Sequence, residues 1–150
     1  MMCNQPDSPV GERFSAAVHG TARGWRLLID KQLKHLGIGQ AGWMTIAMVA
    51  KSKEAMSQRA LADLVGVEGP SMVSMLDRLE REGLVTRAPS STDRRVKLVH
   101  LTDAGTTLYQ QVKEQANAVR TSLLGDIAPA QLQAATELLE LLRTRIEEQL

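Results

Sequence analysis

The sequence is poor in the residue types that mark several kinds of protein. It contains a single cysteine, Cys3, so no disulfide can form within the chain. Aromatic residues make up only 3% of it, which argues against the stacking surfaces that bind RNA and single-stranded DNA. No apolar run approaches the roughly 18 residues of a transmembrane helix, and the N-terminus lacks a signal-peptide core. We therefore expect no membrane partner, and the sequence is compatible with a cytoplasmic location.

The chain also lacks an overall charge of either sign. Its 18 basic and 17 acidic residues leave a formal net charge of +1. Binding to a nucleic acid would therefore require positive residues gathered on one face of the protein. The 43% hydrophobic content of the 150 residues is enough for the core of one domain and argues against extensive disorder.

Motifs of catalytic and metal sites are missing as well. His19, His35 and His100 are far apart and have no companions at metal-ligand spacing. There is no glycine loop of the phosphate-binding kind and no nucleophile elbow. We therefore expect a protein that is not an enzyme and has no metal or cofactor, although distant residues can still converge in a fold.

What the sequence does contain is a pair of short helices joined by a glycine-containing turn. Ser57 is a suitable N-cap for a helix over residues 58–65. The inner face of this helix is assigned to Leu61, Leu64 and Val65. The turn spans residues 66–69, Pro70 suits the first turn of a second helix, and Gly83 ends it. This is the helix-turn-helix pattern, whose second helix enters the DNA major groove.

The second helix, over residues 70–82, has two faces of different character. Its inner face is assigned to Val73, Leu76 and Leu79, with Met72 at the edge. The residues on its outer face are small near the N-terminus and cationic further along: Ser71, Ser74, Met75, Arg78 and Arg81. Short side chains permit close approach to a duplex, and arginines reach phosphates and guanine edges. The pattern predicts a DNA-recognition helix.

A β-hairpin with a charged tip follows the second helix. Residues 84–87 and 96–101 are rich in strand-forming types, and residues 88–95 form a turn that ends in Arg94 and Arg95. A hairpin directly after a recognition helix makes a winged helix, and an arginine at its tip can enter a narrow minor groove. The alternative is an ordinary small α/β domain with a solvated, charged hairpin.

The winged helix-turn-helix of residues 57–101 is expected to be part of one domain over residues 11–150. Residues 1–10 contain a run of polar residues and proline and are interpreted as a flexible tail. Apolar periodicity predicts a long helix over residues 11–36 and a more central helix over residues 40–52. The predicted fold class is mainly α with a small β-hairpin wing.

Two further helices are predicted after the wing. Thr102 is a suitable cap for a helix over residues 103–124, and Pro129 begins the last helix. The last helix carries apolar residues at three- and four-residue steps: Leu132, Ala135, Leu138, Leu139, Leu141, Leu142 and Ile146, with Leu150 beyond them. A terminal helix this apolar needs a partner. We interpret residues 11–36 and 126–150 as the helices that build a dimer, the alternative being burial of the last helix within one chain.

Three segments of the sequence together resemble the signature of the MarR family of bacterial regulators. They are residues 61–67, 76–85 and 93–102, and the resemblance extends from about Phe14 to the C-terminus. Two further segments, residues 23–30 and 40–43, are similar to the SlyA-like branch of the family. The resemblance implies a winged-helix homodimer that binds double-stranded DNA at a palindromic operator. A twofold dimer presents two equivalent DNA-reading heads, each of which is the winged helix-turn-helix of residues 57–101.

The resemblance also implies roles for residues of the wing. Arg95 is the arginine expected in the minor groove, and Asp93 is the carboxylate that holds its guanidinium by a charge-assisted pair. Arg94 and Lys97 are expected to contact phosphates and so to set the affinity and its salt dependence.

Further DNA contacts are expected from the two helices of the helix-turn-helix. Ser57 and Gln58 lie at a helix N-terminus, which favours a phosphate. The full set of predicted DNA-binding residues is Ser57, Gln58, Pro70, Ser71, Ser74, Met75, Arg78, Asp93, Arg94, Arg95 and Lys97. An arginine is common at the position of Ser74 in SlyA-like relatives, and serine reaches less far. The operator sequence therefore cannot be transferred from that branch.

A ligand site is implied by the resemblance as well. Inducers of the family, often small aromatic carboxylates or other phenolic compounds, bind between the dimerisation helices and the reading head. Arg23 and Trp43 match positions that line this pocket, where an arginine clamps a carboxylate and an indole forms an apolar wall. The implied function is a repressor that a small aromatic ligand releases from DNA by a population shift. The alternative is that Trp43 belongs to the core and Arg23 to the surface.

Other functions stay open at this point. The same fold could serve as a protein-interaction module with an idle wing, or a small-molecule pocket could belong to an enzyme. A redox-responsive regulator is a further alternative, because some family members sense peroxide through a cysteine in the first helix. Cys3 lies in the predicted tail, without groups that would stabilise a thiolate, and we interpret it as incidental.

Overall fold

The structure, a computed structural model, describes residues 9–150. The helices and strands of this part are α1 Pro9–Leu33, α2 Gly39–Lys51, β1 Met56–Ser57, α3 Gln58–Val65, α4 Gly69–Arg81, β2 Val85–Pro89, β3 Lys97–Leu101, α5 Asp103–Leu124 and α6 Pro129–Glu147. The chain divides into two compact units, one that extends to Val119 and one that comprises Arg120–Leu150. The predicted winged helix-turn-helix lies entirely in the first unit.

The first helix begins and ends earlier than predicted. Pro9 and Val10, which we assigned to the tail, belong to α1, because a proline fits a first helical turn where its missing N–H would have no partner. The rest of the predicted tail, with Cys3, lies outside the described residues. At the other end, Lys34–Leu36 form a 3₁₀ turn rather than α-helix, and Gly37 ends the turn in the left-handed region at φ 70°.

The core of the first unit is built around α2, as predicted. The buried residues of α2 are Gly42, Trp43, Thr45, Ile46 and Ala47. The fully buried apolar residues packed in the same core include Ile38, Leu61, Met72, Leu76, Leu79, Val85 and Val99. Thr45 keeps a hydroxyl in this core because it donates to the Ala41 carbonyl at 2.7 Å. The core thus joins α2 to α3, α4 and the sheet.

The inner face of α3 differs by one position from the predicted one. Leu61 is fully buried as expected, but Ala62 is buried beside it and Leu64 is 56% exposed. Ser57 is the N-cap, as predicted, since its hydroxyl accepts a hydrogen bond from the Ala60 N–H at 3.1 Å. The cap fixes where this eight-residue helix begins and therefore which side chains turn inward.

The inner face of α4 also differs from the predicted one at a single residue. Met72, Leu76 and Leu79 are fully buried, whereas Val73, which we assigned to the core, is 40% exposed. Met72 and Val73 precede Leu76 by four and three residues, and both spacings are neighbours on a helix surface. Methionine adapts to irregular spaces, and the Met72 sulfur lies 4.0 Å from the Thr45 hydroxyl. Met72, the more flexible of the two side chains, therefore packs in the core, and Val73 does not.

The wing is an antiparallel hairpin whose first strand extends further into the tip than predicted, whereas Leu84 and Val96, which we predicted as strand, lie just outside β2 and β3. β2 pairs with β3 from Val85 opposite Leu101 to Pro89 opposite Lys97, so residues 88 and 89, which we placed in the tip, are strand. Pro89 is tolerated there because β2 is an edge strand, with the order β1-β3-β2. The two-residue β1, which we did not predict, pairs with the other side of β3.

Helix α5 has the predicted bounds and is anchored to the base of the wing. The Thr102 hydroxyl accepts from the Gly105 N–H at 3.0 Å and donates to the Gly83 carbonyl at 2.6 Å. Gly105 approaches the backbone so closely that a Cβ there would lie 2.1 Å from the Leu84 carbonyl oxygen. Only glycine fits this crossing, which fixes the start of α5 against the chain that leaves α4.

Helix α6 begins at Pro129 as predicted, but none of its residues is buried. Its exposed apolar residues are Leu138, Leu139, Leu141 and Ile146, with exposed fractions of 45–58%. Exposed apolar residues also occur on α1, at Val10, Phe14, Leu27 and Leu28. Both helices present apolar surface that the described chain leaves uncovered.

Candidate nucleic-acid interface

Five of the predicted DNA contacts lie around one open depression on the surface of α4. The depression has a volume of about 480 Å³ and is lined by Pro70, Ser71, Ser74, Met75 and Arg78. Ser71 and Ser74 are exposed and Met75 is half-buried. The structure thus brings together the small residues that permit close approach to a duplex and one arginine that can reach beyond them.

The arginine of this surface is already engaged with the protein. Arg78 Nε lies 3.3 Å from Glu82 Oε1, one helical turn further on, and the guanidinium also donates to the carbonyl of Gly37. Its side chain is nevertheless 44% exposed. Pairs at such exposure contribute little to stability, so a phosphate or base could replace them.

The wing tip carries the predicted carboxylate and arginine in contact with each other. Asp93 Oδ1 accepts a hydrogen bond from the Arg95 backbone N–H at 3.0 Å and lies 3.5 Å from Arg95 Nε. The Arg95 side chain is 94% exposed, and Arg94 and Lys97 are exposed as well. The carboxylate thus fixes the base of the Arg95 side chain while the guanidinium projects into solvent.

The N-terminus of α3 is less open than the sequence suggests. The Ser57 hydroxyl is occupied by its capping bond to Ala60. The side-chain oxygen of Gln58 accepts a hydrogen bond from Arg87 at 3.0 Å. Both residues therefore have a structural role within the head, and their predicted phosphate contact would be an additional one.

Arg87 is a residue of this region that sequence reasoning missed. It lies on β2, with its side chain only 17% exposed, and its guanidinium contacts Asp77 and Glu80 of α4 in addition to Gln58. Burial by itself would lower the pKa of Arg87, but the hydrogen bonds and charges of Asp77 and Glu80 outweigh it and hold this pKa above its ordinary value. The spacing of Asp77 and Glu80, three residues apart on one helix side, was the available signal.

The two predicted ligand residues differ in their surroundings. Arg23 is exposed on α1. Trp43 is buried in the core, and its indole N–H donates to Asp30 Oδ1 of α1 at 3.2 Å. Trp43 thus lies in the core, as the alternative interpretation has it.

Other kinds of site find no support in the part of the chain that the structure describes. Residues 9–150 contain no group of three or more histidine, aspartate or glutamate side chains placed to hold a metal ion. Within the same residues, no helix combines the length and the apolar character needed to cross a membrane.

Comparison with known proteins places this arrangement in a family. A family model described as MarR family matches residues 36–96, from α2 to the tip of the wing. The transcriptional regulator PA3341 shares 34% sequence identity, with a TM-score of 0.83 over 90% of this chain and 98% of that one. The chain belongs to the MarR family.

More distant MarR-family structures share the fold. A MarR transcriptional regulator from Methanosarcina mazei Go1 is 22% identical, with a TM-score of 0.81 over 93% of this chain and 99% of its own. The transcriptional regulator SlyA is 16% identical, with a TM-score of 0.77 over 90% and 94% of the two chains. The predicted winged-helix fold is confirmed, whereas the assignment to the SlyA-like branch stays a prediction. Family and fold are those of DNA-binding transcriptional regulators, which are not enzymes.

Proposed function

We propose that this MarR-family protein is a repressor that binds a palindromic DNA operator as a homodimer and is released by a small aromatic carboxylate or phenolic ligand. A cytoplasmic location is part of this proposal, because the protein would act there on DNA. The observation that carries the proposal is the pairing of two surfaces in one head. Small residues and Arg78 surround the depression on α4, and Arg95 projects from the adjoining wing.

The two surfaces suit different parts of a duplex. Ser71 and Ser74 leave room for α4 in a major groove, where Arg78 can reach a guanine edge or a phosphate. Arg95, nearly fully exposed and fixed at its base by Asp93, suits a narrow minor groove, where the negative potential is greatest. A chain with a net charge of only +1 thereby concentrates cations where a duplex would lie.

The homodimer is supported by the uncovered apolar surface of two helices. On α6 four leucine and isoleucine side chains are about half exposed, and α1 exposes Val10, Phe14, Leu27 and Leu28. Surfaces of this kind are usually covered in an assembly. A twofold dimer would present two equivalent heads, and a palindromic operator has the matching symmetry.

The ligand response is the part of the proposal that rests most on the family. Arg23 is exposed on α1 and can form a bidentate pair with a carboxylate. A ligand that favours a different spacing of the two heads would weaken binding to DNA. Salicylate is a simple probe: it should lower operator affinity in the wild type and not in Arg23→Ala. If salicylate bound the dimer without any change in operator affinity at fixed salt, the release mechanism would be wrong.

The DNA-binding part is tested by titrating the protein against its own upstream DNA at two salt concentrations. We expect tight binding that weakens steeply with salt, because several phosphates would be neutralised. Arg95→Ala should weaken binding by roughly ten- to a hundredfold, the usual loss for one specific arginine contact. Lys113→Ala is the control, since it removes one positive charge from an exposed position of α5 and should leave the affinity nearly unchanged.

The contrary outcome is equally clear. Binding that is absent, insensitive to salt or indifferent to Arg95 would reject DNA recognition by this head. It would instead favour a protein-interaction module that uses the same fold with an idle wing.

A further inference from the structure

Arg87 connects the wing to both helices of the helix-turn-helix. Its Nη2 lies 2.6 Å from Asp77 Oδ1, its Nε lies 3.1 Å from Glu80 Oε2, and its Nη1 donates to Gln58 Oε1 at 3.0 Å. Asp77 and Glu80 belong to α4, Gln58 begins α3, and Arg87 itself is in the middle of β2. We call these four residues the Arg87 network.

The chemistry of arginine makes this connection directional. A guanidinium is planar and presents its donors in a rigid fork, so three acceptors at fixed positions define its orientation. The side chain is 17% exposed, which reduces the screening of its two charge pairs by water. Rotation of the wing relative to α4 would have to break bonds to Asp77, Glu80 or both. The network therefore resists that motion.

The network also changes the charge of the surface that faces the proposed DNA. A depression of about 640 Å³ is lined by Ser74, Asp77, Glu80, Arg81 and Arg87, so two carboxylates lie beside the recognition surface. Unpaired, they would repel phosphates. Paired with Arg87, they are partly neutralised, because one guanidinium leaves the two carboxylates with a net charge of −1.

We infer that Arg87 is a positioning residue for DNA recognition, which holds the wing at a fixed angle to α4 so that Arg95 and the surface of α4 engage one duplex together. This inference rests on the proposed DNA binding of the head. Arg87 acts through Arg95 and through its two carboxylate partners, and it does not contact DNA.

The test measures operator affinity of Arg87→Met and of the double variant Asp77→Asn, Glu80→Gln. Each should weaken binding by about tenfold, in the range of effects within one hydrogen-bonded network. The double variant is the sharper of the two, because it removes two negative charges near the DNA. If charge alone mattered, or if Arg87 itself contacted DNA, the double variant would bind more tightly; positioning predicts weaker binding.

Two comparisons separate positioning from a general loss of stability. In an Arg95→Ala background, Arg87→Met should weaken binding by less than about twofold, since the contact that it positions is already absent. Arg87→Lys keeps the charge without the fork and should fall between the wild type and Arg87→Met. As a matched control, Asp63→Asn with Glu68→Gln removes two exposed carboxylates of the same head that are outside the network, and should bind DNA at least as well as the wild type.

The outcomes for the two proposals are distinct. If the wild type fails to bind DNA, or binds without regard to Arg95, the proposed function is wrong. If the wild type binds and Arg95→Ala weakens it, but the double variant binds as tightly as the wild type or more tightly, the positioning role is overturned. Should Arg87→Met fold poorly, the double variant still decides, because Asp77 and Glu80 are about half exposed.

Discussion

Helices α4 and α6 are both amphipathic, yet they differ in how far their apolar side chains are buried. In α4 the side chains of Met72, Leu76 and Leu79 are fully buried in the core of the first unit. In α6, which is longer and richer in leucine, no residue is buried. Apolar spacing alone therefore indicates that a helix needs a partner surface, without saying whether that surface belongs to the same chain.

The comparison assigns different thermodynamic roles to similar leucines. A leucine of α4 stabilises the fold of one chain, because its burial requires only the described core. A leucine of α6 gains the same benefit only when something covers it, which under the proposed function is a second copy of the chain. Changes in the two helices should thus differ in their dependence on protein concentration.

The largest effect is expected from Leu76→Ala. Leu76 is fully buried, and such truncations destabilise a fold by about 2–5 kcal/mol through lost burial and the cavity that remains. Urea unfolding followed by circular dichroism would measure the change in the free energy of unfolding, at several protein concentrations. A loss below about 1 kcal/mol would mean that α4 is less tightly packed than the structure shows.

The second-largest effect is expected from Leu139→Asp, which changes a leucine of α6 instead of one of α4. Leu139 is 48% exposed on α6, so the single chain should still fold. A charge in the proposed dimer interface should raise the dimer dissociation constant by at least about tenfold. Sedimentation equilibrium measures this constant, with circular dichroism to verify the helix content. An unchanged dimer would show that this part of α6 lies outside the interface.

The smallest effect is expected from removal of the N-cap of α3. Ser57 caps α3 with a side-chain hydrogen bond, whereas Ala128 precedes α6 without one. Ser57→Ala should lower the free energy of unfolding by about 1 kcal/mol, measured by thermal unfolding. Ser71→Ala, at an exposed serine of α4, is the control and should change little. Equal effects of the two substitutions would contradict the capping role.

Much of the fold could be predicted because its signals are local. Thr102 and Pro129 mark the starts of α5 and α6, and both predicted starts agree with the structure, as does the predicted end of α5. Gly83 follows the C-cap of α4 and has φ 74°, in the left-handed region. Glycine adopts this conformation without strain. Caps, prolines and glycines act within one turn of the chain, so they can be interpreted before the fold is known.

What could not be predicted depends on contacts between distant segments. Met72 rather than Val73 is buried, and its sulfur contacts Thr45, which lies 27 residues away in the sequence. The bonds of Arg87 to Gln58 and Asp77 span 29 and 10 residues, and the spacing of Asp77 and Glu80 does not by itself say which arginine pairs with them. At the candidate site, the sequence thus predicted the exposed cations of the wing but not the largely buried Arg87.

The enclosed position of Arg87 has a consequence for the response of the protein to pH. Folding raises the pKa of Arg87, and a cation of this kind stabilises the fold at every pH below the pKa that it has in the unfolded chain. This contribution is lost only as the pH rises through the folded pKa, far into the alkaline range for an arginine. From neutral to mildly alkaline pH the angle between wing and recognition helix should therefore stay constant. A change of operator affinity over that range would therefore not originate in the Arg87 network.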